Sequence, residues 1–135
     1  MQFQRGRLID HVQLRVSDVD ASKRFYKAVL SALGFSDALT EGSGYFYVDE
    51  LYVDKADGPI TRTHLAFQAP DRRTVDAFHA AALGAGGRDN GAPGERKYHP
   101  GYYAAFALDP DGNNIEAVYH GPFERSAPAV IITAK

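Results

Sequence analysis

Cysteine is absent from this 135-residue chain. Without thiols there can be no disulfide and no thiolate metal site, so any metal must be held by nitrogen and oxygen ligands. Long apolar runs are missing as well. No segment approaches the length that spans a bilayer, and residues 1–10 lack the apolar stretch of a signal peptide, so no membrane is expected and the cytoplasm is the expected compartment. Neither sign of charge dominates: 15 lysines and arginines face 17 aspartates and glutamates, a formal net charge of -2. The signs are interspersed, which excludes both a basic field for nucleic acid and a solvating acidic tail. The partners left are a small-molecule substrate and a second copy of the chain, and a homodimer is expected.

What the chain does contain is an internal repeat. His11 and His64 stand fifty-three positions apart, and Asp10-His11-Val12-Gln13-Leu14-Arg15-Val16-Ser17-Asp18 lies over Thr63-His64-Leu65-Ala66-Phe67-Gln68-Ala69-Pro70-Asp71. At the same offset Phe25 meets Phe78, Ala28 meets Ala81, Leu30 meets Leu83 and Gly34 meets Gly87. A register held through a strand and a helix marks two copies of one module. The expected organisation is one domain over residues 1–135, with module one at about 8–54, module two at about 62–120, and an extension, 121–135, that has no counterpart in module one.

Within module one, residues 8–16 alternate apolar and polar, as in a strand with one buried face. Val12, Leu14 and Val16 take that face, which leaves His11, Gln13 and Arg15 on the other. Ser17 or Asp18 can cap a helix with the stripe Phe25, Val29, Leu33, which Gly34 stops. Three short strands are predicted around 35–40, 44–48 and 51–54. Module two repeats the scheme with a strand over 62–69, Asp71 as helix cap, and Val75, Phe78 and Ala82 on one helix face. Residues 90–101, rich in glycine and proline, read as a loop, followed by strands at 102–108 and 114–119 around the turn Asp109-Pro110-Asp111-Gly112-Asn113. Ala129-Val130-Ile131-Ile132-Thr133 either adds an edge strand or packs on a partner subunit.

In the last strand Ile115 and Ala117 can take the core face, which puts Glu116 on the opposite face with His11 and His64 if the modules pair about a pseudo-twofold axis. Two imidazoles and a carboxylate then form a facial triad with open positions for substrate, suited to Fe2+, Mn2+, Ni2+ or Zn2+. Arg15, Gln13 and Gln68 point into the same trough, where Arg15 suits an anion or a carbonyl. The stretch Lys97-Tyr98-His99-Pro100-Gly101-Tyr102-Tyr103 either covers the trough mouth and selects substrate or is a solvent loop. His79, on a helix, and His120, after the last strand, read as surface or packing residues.

Paired modules whose strands open with His11-Val12-Gln13-Leu14-Arg15-Val16 and His64-Leu65-Ala66-Phe67, together with Asp109-Pro110-Asp111-Gly112-Asn113-Asn114-Ile115-Glu116, resemble the vicinal oxygen chelate superfamily of glyoxalase I, extradiol dioxygenases and bleomycin-resistance proteins. The resemblance runs nearly to His120. It implies an α+β fold: two tandem βαβββ modules forming a curved, open eight-stranded mixed sheet around a central trough, with the helices outside.

Three activities follow from the resemblance. Glyoxalase I places an arginine that binds a glutathione carboxylate four residues after its first ligand, as Arg15 follows His11, and isomerises a thiohemiacetal. Its further glutamate ligand has no match, since the corresponding positions are Leu51, Tyr52 and Val53, and Glu50 would need a register change. Extradiol dioxygenases ligate metal at the positions of His11, His64 and Glu116 and carry a histidine matched by His99, but the tyrosine of their signature is Phe106 here, with Tyr102 or Tyr103 as substitutes. Bleomycin-resistance proteins bind a drug in the same trough without metal. The implied activity is that of a divalent-metal-dependent enzyme acting on vicinal oxygens, with Glu116 and His99 as acid–base groups and Tyr102 and Tyr103 at the substrate; the alternative is a metal-free binder.

Overall fold

The computed structural model describes residues 8–35 and 37–135, so the N-terminal reading of no leader falls mostly outside the described residues. Module one is β1 (Val12–Val16), α1 (Val19–Ala32), β2 (Thr40–Gly42), β3 (Tyr45–Val48) and β4 (Leu51–Lys55). Module two is β5 (His64–Gln68), α2 (Arg72–Gly84), β6 (Arg88–Glu95), β7 (Tyr103–Leu108) and β8 (Asn114–Tyr119). Each forms a four-stranded mixed sheet, ordered β1-β4-β3-β2 and β5-β8-β7-β6, in which the first and last strands of the module run parallel.

Local chemistry accounts for the elements. Leu14 and Val16 are fully buried, as the period-two pattern requires, while Gln13 and Arg15 face the other way. Asp18 caps α1 by accepting from the Ala21 N–H at 3.1 Å, and Asp71 caps α2 by accepting from the Thr74 N–H at 2.7 Å. Phe25, Tyr26 and Val29 of α1 and Val75, Phe78 and Ala82 of α2 are fully buried in one continuous core with Ile115 and Ala117 of β8. The two helices therefore meet in one core. The Tyr26 hydroxyl donates to Asp109 Oδ2 at 2.7 Å, tying α1 to the turn between β7 and β8.

Three expectations change in detail. The eight strands form two sheets, since β1 and β5 each stand at an edge and no ladder joins them. Part of the β1 edge is already taken, because the linker residue Thr61 donates its N–H to the Arg15 carbonyl at 2.9 Å and accepts the Arg15 N–H at 2.8 Å. The strand placed at 35–40 shifts to Thr40–Gly42, as the chain leaves α1 through turns in which the Phe35 N–H bonds the Leu30 carbonyl. Residues 88–95, read largely as loop, form edge strand β6, with register shifts between Asp89 and Gly91 and between Gly91 and Gly94. An edge strand tolerates Pro93 and absorbs glycines as bulges, which hides it from a propensity reading.

Candidate active site

β8 carries Glu116 between Phe106 of β7 and Ala66 of β5, its register partners on either side. Its side chain is 2 % exposed. A carboxylate so buried must be hydrogen-bonded, and both oxygens are. His64 Nε2 donates to Oε1 at 2.8 Å, and the Tyr102 hydroxyl donates to Oε2. The His64 side chain remains 52 % exposed, so solvent or ligand reaches its ring. Burial, then the bond to Glu116 and its charge, push the Tyr102 phenol well above its ordinary value. Tyr102 therefore serves as a proton-bearing donor at neutral pH.

A pair of imidazoles backs this group. His99 Nε2 lies 2.8 Å from His120 Nδ1, the rings stack at 5.1 Å, and Tyr102 sets its ring edge-on to both. His99 Nδ1 lies 2.8 Å from the Pro100 carbonyl, which can only accept, so Nδ1 carries a proton. With both ring nitrogens engaged, His99 positions Tyr102 and leaves no nitrogen for a substrate. His120, read as a surface residue, belongs to the cluster. It shares a face with Glu116 and Val118 by strict alternation, the signal that could have found it.

The remaining predicted site residues are placed elsewhere. His11 is 66 % exposed and bonded to Asp10 at 2.7 Å. Among the described residues no group of three or more histidines and carboxylates stands close enough to hold a metal, so one chain supplies the His64–Glu116 pair and not the triad. Arg15 is committed to β4 and the linker: it pairs with Asp54 at 3.0 Å and Asp57 at 3.1 Å and donates to the Lys55 carbonyl. Gln13 donates to Asp54 at 3.0 and 3.1 Å, and Gln68 accepts from Arg125 at 2.9 Å. Tyr103 does not join Tyr102. Alternation along β7 turns it toward α2, where its hydroxyl donates to Asp76 at 2.7 Å and Arg72 lies over its ring at 4.7 Å.

Module one offers a different surface. Tyr45 and Tyr52 stack at 5.7 Å and Tyr47 and Tyr52 at 6.4 Å, making an aromatic ladder across β3 and β4. Tyr52 occupies the β4 position opposite Gln13, the position in module one that corresponds to Glu116 opposite Ala66 in module two.

Residues 8–117 match the family model described as "Glyoxalase/Bleomycin resistance protein/Dioxygenase superfamily". The chain is 30% identical over 126 residues to the uncharacterized protein YqjT of Bacillus subtilis, covering 80% of this chain and 95% of that one. It is 31% identical to a glyoxalase/bleomycin resistance protein from Albidiferax ferrireducens, with a TM-score of 0.71 over 82% of this chain and 97% of that chain. A lactoylglutathione lyase from Agrobacterium tumefaciens shares the fold at 20% identity, with a TM-score of 0.60 over 83% and 92% of the two chains.

Proposed function

As the chain belongs to the glyoxalase/bleomycin resistance protein/dioxygenase superfamily, we propose that it is a divalent-metal-dependent enzyme acting on a small substrate with two neighbouring oxygens. The observation that carries this reading is the buried Glu116 carboxylate held by exposed His64. A buried charge costs several kcal/mol unless it has a task or a partner, and an imidazole–carboxylate pair beside open solvent suits a nitrogen- and oxygen-ligated ion. His64 and Glu116 hold the ion with His11 of a second copy, so the complete site belongs to a homodimer. When bound, Fe2+, Mn2+, Ni2+ or Zn2+ supplies Lewis-acid stabilisation of a developing oxyanion.

The chain's own groups do the rest. To ligate through Nε2, His64 would carry its ring proton on Nδ1, and the Glu116 oxygen it bonds in this structure would be released. Tyr102 keeps its proton and orients the other Glu116 oxygen, while His99 and His120 fix the Tyr102 ring. The Phe106 ring packs beside His64, their centroids 5.9 Å apart. Position 106 carries no phenol, and Tyr102 is the phenol bonded to Glu116 among the described residues.

A metal-free binder is the second reading. It is favoured by the fact that His64 and Tyr102 already satisfy both Glu116 oxygens. Metal analysis of protein purified without chelator separates the two. The enzyme reading predicts stoichiometric metal and a melting temperature raised by roughly 10 °C at a hundredfold excess of ion over its Kd, lost in His64→Ala and Glu116→Ala. Absence of bound metal with an unchanged melting temperature in all four ions would overturn the metal-dependent reading and favour the binder.

A further inference from the structure

Arg96 shares the Phe106 ring with His64, the partner of Glu116. Its backbone N–H donates to the Tyr102 carbonyl at 2.9 Å, so the two residues face each other across the end of the β6–β7 hairpin. Its guanidinium carbon lies 5.3 Å from the centre of the Phe106 ring, and His64 packs against the same ring. The arm rests against two glycines of β6: a Cβ at Gly94 would come within 3.1 Å of Nη1, and one at Gly91 within 3.3 Å of Nη2. Nη2 donates to the Ala92 carbonyl at 2.7 Å and Nη1 to the Glu95 carbonyl at 3.3 Å.

These partners orient the guanidinium and leave its charge uncompensated. No carboxylate pairs with Arg96 among the described residues, and the nearest in sequence, Glu95, is taken by Arg72 at 2.7 Å. Arg15, by contrast, has its two aspartates. A guanidinium held flat by an aromatic ring and two carbonyls, with donors to spare and no counterion, is preorganised for a planar oxyanion.

Resting on the reading of the His64–Glu116 pair given above, we propose that Arg96 determines specificity: the substrate is a small carboxylate whose anion pairs with Arg96 while its neighbouring oxygens face His64 and Glu116. The test is calorimetric titration of the full chain with 3,4-dihydroxybenzoate, catechol, benzoate and benzamide. Each carboxylate should bind at least about tenfold tighter than its neutral counterpart, the effect of one charge-assisted hydrogen bond. Arg96→Gln should abolish that preference and leave catechol unchanged, and Arg96→Lys should restore part of it. The proposal is overturned if the wild type shows no preference or if the preference survives in Arg96→Gln with an unaltered melting curve. If Arg96 discriminates but added metal leaves catechol binding unaltered, the metal reading fails alone.

Discussion

Tyr26 shows how one side chain reports on the joint between the modules. It is fully buried against Phe25 and Phe46, and its hydroxyl donates to Asp109, which also accepts from the Asn113 side chain and backbone. Burial first, and then the Asp109 charge, raise its phenol well above the ordinary value. A pKa raised on folding means that the native state holds its proton more tightly than the unfolded chain does. That stability is fully present below the unfolded value of about 10 and is lost as pH rises beyond it. Urea titrations from pH 8 to 11 should therefore show a stability loss beginning near pH 10 that is shallower in Tyr26→Phe; equal slopes would refute the assignment. Legibility varied residue by residue. Glu116 and His64 were readable because alternation put each on a non-core face. Arg15 was not, because its neutralising partners lie on β4 and in the linker, more than thirty positions away, beyond any local pattern.

At the scale of elements, the close approach of α1 to the end of α2 depends on Gly87. A Cβ there would meet the Ala82 carbonyl oxygen and Phe25 Cε2, each at 2.7 Å. Neither can yield cheaply, one being backbone and the other a fully buried ring. Gly87→Ala should cost about 1–3 kcal/mol by overpacking. Gly58→Ala, in the linker with nothing within 4 Å of the added methyl, should change stability little. Equal urea midpoints for the two variants would contradict the packing described. The repeat already hinted at this site, since Gly87 aligned with Gly34. Strand β6 was the element least legible. Its glycines and Pro93 look like loop, yet they give Arg96 its bed and let an edge strand bend.

The molecule as a whole is where sequence reading stopped short. Equivalent repeat positions identified His11 and His64 together, but a repeat does not state whether its copies pair within one chain or between two. The structure leaves β1 and β5 as sheet edges and His11 apart from Glu116, so the proposed triad requires a second copy. Residues 121–135 form no helix or strand, and Val130, Ile131 and Ile132 are exposed, so the edge strand considered for them is not formed within the chain. Among the described residues no helix is long and apolar enough to cross a membrane. The decisive measurement is complementation between His11→Ala and Glu116→Ala, each purified alone and then co-refolded in equal amounts, with bound metal counted per chain. Sites shared between copies predict that neither variant holds metal alone and that the mixture regains about a quarter of wild-type sites, as random pairing in a two-fold dimer requires. A mixture that recovers none, or a His11→Ala variant that keeps its metal unaided, would contradict a site built from two chains.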